Sequence, residues 1–505
     1  MEIVRVGASK VALSRELGRH HMCGYSVASK VANGSPAAGD EQELHARTLV
    51  IEVATGERFA FIFADLWGPS AGLAAQLGRA AAADLRLPES HLLFATTHTH
   101  TGPSRYFNNK LWNYAPTLTL DAGANDPLVK LLLRRLREGL DAAVADLAPG
   151  SVDLVGDELW GVGAQRSEAA FLAGGTAAAW VARFRTRPGL QRDVLHTMVD
   201  PRLRALRARR ADGSLRALFG VYACHATALG QAWSSYSADW PGIATTNVER
   251  QLSGVGPPVV VALAQGAAGD VSPLPPSGGY LPADPSRCQG IALARQAAQE
   301  VSAEMLTLAA LPSGPPRADF EWESTCWNPG SSLPRPLLGA PALGGAEDYR
   351  SPLWTQDLAC REGSKAGPPV PAPPDQAAKW GSHDPITAIA LSQVNAKAGP
   401  TAVPLRRIRL AGHVIFTCPG EPTGWALAEL ERQFAPAPGC EVLGIGYAGE
   451  YIGYLTTSAE FACQHYEGAM TVYGSRSITE LAAVLHPTTP WPLAGAPAEP
   501  DSAAD

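Results

Sequence analysis

The sequence predicts an α/β fold: one large domain in which a mixed β-sheet is flanked by helices, with an active site at the strand ends. Three observations carry this. Short apolar runs alternate with amphipathic or Ala/Leu-rich stretches along most of the chain. Several of those runs stop at a polar residue followed by a Gly/Pro turn. The 505 residues are 46% hydrophobic and only 18% charged, which suits a large buried core and not a disordered chain.

Thr48–Val53 and Phe59–Ala64 read as a hairpin around Thr55-Gly56-Glu57. Ala71–Leu85 reads as a helix closed by Pro88. Leu92-Leu93-Phe94 is the end of a buried strand that delivers Ala95-Thr96-Thr97-His98-Thr99-His100-Thr101-Gly102-Pro103. A loop rich in aromatics and Asn follows, then an amphipathic helix over Asp126–Asp146. Leu203–Leu206 and Leu215–Tyr222 form a second hairpin around Asp212-Gly213, and the second strand leads to His225. Pro258–Ala264 is a fully apolar strand leading to Gly269-Asp270-Val271-Ser272-Pro273, with a helix after it over Gln289–Leu308. Residues 312–376, rich in Pro, Gly and Ser, read as an ordered irregular excursion, because Trp322, Trp327 and Trp354 need burial. Val403–Leu410 and His413–Cys418 make a third hairpin that ends in Glu421, and a helix spans Trp425–Phe434. The tail from Pro487 is Pro/Ala-rich and is expected to fray, which leaves 1–486 as the domain and 487–505 as tail.

In an extended backbone, residues two apart point the same way, so His98 and His100 project from one face where the strand stops. Two imidazoles there suit metal ligation, or one ligand and one proton shuttle; they also suit plain loop histidines. His225, Glu421, Asp270 and Ser272 end other apparent strands, and active sites of α/β proteins collect at strand ends if those strands share one sheet edge. Two or three His and a carboxylate make an open zinc site, yet His20, His21, His45 and His383 are equally available as residue types. Ser272 reads as a nucleophile, a substrate-binding hydroxyl or part of an ordinary turn; it lacks the Gly-x-Ser-x-Gly elbow. Tyr447, Tyr451, Tyr454 and Tyr466 read first as core aromatics, although a phenol can also ligate metal or stabilise an oxyanion.

The net charge of -7 argues against nucleic acid as a partner. The Arg202–Arg210 run reads as a solvated strand-and-turn segment. No run of eighteen apolar residues predicts a transmembrane helix, and no leader opens the sequence, so a cytoplasmic location is expected unless a leader was removed. Eight cysteines without Cys-x-x-Cys read as buried thiols, with Cys326 and Cys360 able to pair if the protein is exported.

Taken in order, several segments resemble the neutral/alkaline, non-lysosomal ceramidase family. They are Met22-Cys23-Gly24-Tyr25, Leu44-His45-Ala46-Arg47, Ala95–Pro103, Gln165-Arg166-Ser167, Cys224-His225-Ala226-Thr227, Gly269–Pro273, Pro419-Gly420-Glu421, Tyr454-Leu455-Thr456-Thr457 and Gln464-His465-Tyr466-Glu467-Gly468. The resemblance implies one zinc ion per chain, held by His98, His225, Glu421 and Tyr454. It implies His100 as general base or acid beside the metal-bound water. Ser272 becomes a substrate contact or nucleophile, and Arg166 and Tyr466 line the amide site. The implied activity is hydrolysis of an N-acyl amide such as a ceramide; a soluble amide, ester or lactone is the alternative. A metal-independent serine hydrolase and a non-catalytic binding protein are weaker readings. The sequence departs from the family pattern in ending without an immunoglobulin-like C-terminal domain, and in Leu274 and Phe461. None of these departures touches an implied ligand.

Overall fold

The computed structural model describes residues 1–25, 32, 43–115, 118, 122–185, 194–254, 257–273, 290–312, 319–347, 349–434, 436 and 439–489. Leu274 and the tail from residue 490 lie outside these. Ten strands come first: β1 (Ile3–Ala12), β2 (His45–Val53), β3 (Arg58–Ala64), β4 (Leu92–Thr96), β5 (Ala148–Glu158), β6 (Gly163–Gln165), β7 (Arg202–Arg210), β8 (Leu215–Tyr222), β9 (Val260–Gln265) and β10 (Val271–Pro273). All but β6 and β10 join one sheet in the order β4-β3-β2-β1-β5-β7-β8-β9. The sheet is mixed: β3/β4 and β8/β9 run parallel, and the pairs between them antiparallel. Its two edges meet, where Gln265 at the end of β9 donates to Thr97 O just past β4 at 2.9 Å. β6 and β10 pair with each other.

β11 (Phe320–Trp327), β12 (Gly345–Ala346), β13 (Tyr349–Arg350), β14 (Val403–Leu410), β15 (His413–Thr417), β16 (Glu421–Pro422), β17 (Val442–Ile445) and β18 (Tyr454–Leu455) complete the set. β11-β14-β15-β17 form a second sheet; β12/β13 and β16/β18 are short separate pairs. The two larger sheets pack face to face. Leu49, Phe61, Phe63 and Phe219 of the first meet Trp322, Ile408, Ile415 and Leu443 of the second in one apolar cluster. Helices cover the outer faces, giving four layers.

The helix over Asp126–Ala145 shows how sequence sets this packing. Asn125 caps it by accepting from Leu128 N, Pro127 follows at the start, and Leu128, Leu132, Leu136, Leu140 and Ala143 form the buried stripe. The stripe lies on β1 so closely that a Cβ at Gly7 would stand 2.1 Å from Ala143 O.

The α/β class, the mixed sheet and the three hairpins match the sequence reading. Four points differ. β1 and β5 carried no strand assignment; β5 alternates polar and apolar residues and contains Pro and Gly. The second sheet was not foreseen, so the strand before Glu421 does not share an edge with those before His98 and His225. Phe320–Trp327, inside the expected irregular excursion, is a regular strand; Trp322 and Trp327 are buried, whereas Trp354 is half-buried between Arg350 and Arg361. The Arg202–Arg210 run is an interior strand, not a solvated one. Arg207 is fully buried, pairs with Asp153 at 2.6 Å and donates to Leu308 and Leu311 carbonyls, where the helix over Ile291–Ala310 ends. Cys326 and Cys360 are not joined by a disulfide.

Candidate active site

β4 ends at Thr96, and Gln265 and Ala64 hold the next residue, Thr97, through its carbonyl and N–H. His98 then takes a left-handed backbone, φ 60°. Such a conformation strains a residue with a Cβ and concentrates at functional sites. It turns the chain back, so the two histidines converge by a bend and not by sharing a strand face as the sequence reading had it. Their Nε2 atoms stand 3.1 Å apart.

His225 follows β8, fixed by its N–H to Val271 O and by Trp240 Nε1 on its carbonyl. Glu421 lies in β16 and Tyr454 opposite it in β18, in parallel register, which sets the two side chains next to each other. Glu421 Oε2 is 3.3 Å from His98 Nε2 and 3.0 Å from His225 Nε2. Tyr454 Oη is 3.5 Å from His225 Nε2. The elements thus bring His98, His100, His225, Glu421 and Tyr454 to one point, although two sheets supply them. Among the described residues, one cluster of His, Cys, Asp or Glu suits a metal ion: His98, His100 and His225, with nitrogens within 4.8 Å of one another.

The donor set fits a zinc ion. His98 Nδ1 and His225 Nδ1 face the carbonyl oxygens of Trp67 and Ala268, at 2.6 and 2.5 Å. With Nδ1–H donated there, each Nε2 lone pair points at the cluster. Two ligand atoms at zinc bond lengths in a tetrahedron stand about 3.3 Å apart, close to the separations seen here. The carboxylate is oriented in turn: Tyr447 donates to Glu421 Oε2 at 3.0 Å and Tyr451 to Oε1.

Electrostatics agree with ligation. Burial, then Arg166, push the His225 imidazole down to about 4, against the pull of Glu421. Burial, then His98 and His225, push His100 well below the ordinary range. Burial alone would raise Glu421, but His98 and His225 outweigh it and hold the carboxyl well down. A neutral His225 and an ionised Glu421 are the forms that bind metal. Burial and then Glu421 raise the Tyr454 phenol.

Arg166 follows β6. It donates to Tyr454 Oη at 2.9 Å, Gly269 O at 2.6 Å and Glu467 at 3.0 Å, and its guanidinium lies 5.7 Å from the Tyr466 ring centroid. Two adjoining cavities meet at the cluster and share Gly24, His100, Ala342, Leu343, Tyr454 and Tyr466. The first is apolar, walled by Trp112, Leu118, Leu338, Val394 and Met470. The second carries Tyr25, Arg166, Thr227, Tyr349 and Ser351. Gly24 touches His100 so closely that a Cβ there would lie 2.3 Å from Nδ1.

Ser272 is buried in β10 opposite Ala164 and is not among the described residues lining either cavity. Asp270 ties the loops together, accepting from Gln165 Nε2 and Gly424 N, and burial lifts its carboxyl to about 7. Of the competing histidines, His45 pairs with Glu43 at 3.4 Å, away from the cluster. Sequence reading did not assign Gly24, Ser167, Glu467, Tyr447 or Tyr451 a role. The first three stand inside the motifs quoted for the resemblance; the two tyrosines carried no signal separating carboxylate donors from core aromatics.

The profile described as neutral/alkaline non-lysosomal ceramidase, N-terminal, matches residues 5–294. A neutral ceramidase of Mycobacterium tuberculosis is 25% identical over 459 residues, covering 81% of this chain and 66% of that protein. One from Pseudomonas aeruginosa is 25% identical over 508 residues, covering 93% and 69%. The chain thus spans about two thirds of the length of these relatives. The crystal structure of the Pseudomonas aeruginosa neutral ceramidase superposes with a TM-score of 0.72 at 20% identity, covering 96% of this chain and 74% of that one. A ceramidase complexed with C2 gives 0.73 at 21%, with the same coverage. The fold is therefore shared, and on the profile match over more than half its length the chain belongs to the neutral/alkaline non-lysosomal ceramidase family.

Proposed function

We propose that this chain is a zinc-dependent amidohydrolase that cleaves an N-acyl amide, with a ceramide-like lipid as first substrate. The observation that carries this is the convergence of His98 Nε2 and His225 Nε2 on Glu421 Oε2, at 3.3 and 3.0 Å, at the junction of two cavities, one of them apolar. An amide has two arms, and the junction offers a place for each. The relatives named neutral ceramidase supply the choice of ceramide. Residues 1–486 are taken as one catalytic unit.

His98, His225, Glu421 and Tyr454 would hold one zinc ion. Bound there, zinc would polarise the amide carbonyl and make a water molecule acidic enough to attack it. His100, kept neutral by burial, is placed to take up a proton from an attacking water and hand it to the leaving amine. Its Nδ1 has no hydrogen-bond partner among the described residues. Arg166 donates into the Tyr454 oxygen and fixes the phenol against the developing oxyanion. Tyr466 and Arg166 position the amide. For Ser272, its buried place in β10 next to Val271, which binds the His225 N–H, supports a role through the scaffold over one as nucleophile.

One observation favours a more polar amide as the second reading. The second cavity presents Arg166, Thr227, Tyr349 and Ser351. A panel of N-acylsphingosines and short N-acyl amides separates the two. Ceramide cleavage at the higher kcat/KM supports the first reading; preference for the short polar amides replaces it with the second. No hydrolysis of either with zinc present contradicts both.

A further inference from the structure

Behind Arg166 lies a chain of polar groups outside the chemistry above. Ser167 Oγ stands 2.7 Å from Glu347 Oε2 and 2.6 Å from Glu467 Oε2. A serine hydroxyl has one proton to donate, so it satisfies one carboxylate and no more. The second contact needs a proton on the carboxyl itself. Two bare carboxylates around one hydroxyl, buried, would repel. Glu467 already has a cationic partner, since Arg166 Nε donates to its other oxygen at 3.0 Å. The extra proton falls to Glu347 or to its partner His465, whose imidazole Glu347 raises, and only on Glu347 does it serve Ser167. His465 Nδ1 stands 2.8 Å from Glu347 Oε1 and donates to it. Every link then has one donor and one acceptor: His465 to Glu347, Glu347 to Ser167, Ser167 to Glu467, and Arg166 to Glu467.

We propose that Glu347 is a positioning residue that works in its protonated form: its hydrogen bond to Ser167 latches the β12–β13 hairpin onto the active-site wall. Glu347 sits between those two strands, and Gly345, Ala346 and Tyr349 of the same hairpin line the second cavity. The latch reaches Tyr454 through Ser167, Glu467 and Arg166. Among the described residues, the charged groups around Glu347 are His465, Glu467 with Arg166 behind it, and Glu362, which pairs with Arg350 at 3.4 Å. Burial raises the Glu347 carboxyl; His465 opposes this and Glu467 adds to it, for a net upward shift. As pH climbs past that raised value the shared proton is lost, the carboxylates repel across Ser167, and the hairpin loosens. KM then rises more than kcat falls.

Infrared difference spectra of wild type minus Glu347→Gln, taken just above the ordinary carboxyl range, test the proton without substrate. Loss of a protonated-carboxyl C=O band in the variant is expected. Loss of carboxylate bands alone, as for an imidazolium His465 paired with ionised Glu347, overturns the proposal. Glutamine keeps an N–H for Ser167 and a carbonyl for His465, so Glu347→Gln should stay within about threefold of wild type in kcat/KM and lose the alkaline rise in KM. Glu347→Ala should raise KM by about tenfold, the order of one hydrogen bond lost at a buried polar group. Equal losses in both variants overturn it. The kinetic arm rests on the amide reading and the infrared arm does not. An enzyme inactive on amides that shows the band keeps the proton assignment and fails the substrate reading alone.

Discussion

His98 and His100 are separated by one residue, and their surroundings divide them. His98 is fully buried, its Nδ1 engaged by Trp67 O and its Nε2 facing Glu421 and His225. His100 faces both cavities, with its Nδ1 unengaged. His98→Ala is expected to lose the metal, read by metal analysis of the purified protein. His100→Ala should keep the metal while kcat falls by about 100- to 10,000-fold, the usual worth of a positioned acid–base group. Metal loss from His100→Ala would instead make it a ligand. Gly24 supplies a second check at this scale. Gly24→Ala puts a methyl 2.3 Å from the His100 ring at a left-handed position, φ 104°. The ring must move, so a rate loss of the same kind with metal retained is expected from steady-state kinetics and metal analysis. The candidate residues were singled out by the ordered motifs of the family resemblance, since His20, His21, His45 and His383 were equally available as residue types. The bend at His98 was not legible: a histidine carries no local sign that its backbone is left-handed.

At the scale of elements, short pieces matter more than long ones. Two-residue strands β16 and β18 align Glu421 with Tyr454, and three-residue strands β6 and β10 bring Arg166 beside Gly269. Two residues show no period, so no pattern argument finds such strands. Long hairpins such as β2/β3 were legible because their apolar runs flank Gly-containing turns. Glu450 illustrates another element-level link: it accepts from Ala71 N, at the start of the helix over Ala71–Ala81, and from Tyr451 N. Burial lifts its carboxyl to about 8. A folded-state value above the unfolded one stabilises the protein at acid pH and loses that stabilisation as pH rises through it. The Tm difference between Glu450→Gln and wild type should therefore move in favour of the variant from about pH 4.5 to about pH 8. A difference that stays flat across that range would show that Glu450 keeps an ordinary carboxyl.

The described residues form two larger sheets face to face with helices outside, and the cluster is built where strand ends of the first sheet meet the short β16/β18 pair. The sequence showed the class and the mixed strands, because local periodicity and turns carry those. It did not show the second sheet, since β11 and β14 pair across more than seventy residues and long-range pairing leaves no local trace. Among the described residues, no helix is long and apolar enough to cross a membrane. The central claim is that one metal ion at this junction drives amide hydrolysis. Its most direct test is to strip the protein with a chelator and titrate zinc back while following cleavage of an N-acyl amide. Activity that rises with bound zinc and levels off at about one ion per chain is expected, as for a single catalytic zinc site. Full activity in the stripped protein, or one bound zinc without hydrolysis of any amide, would contradict it.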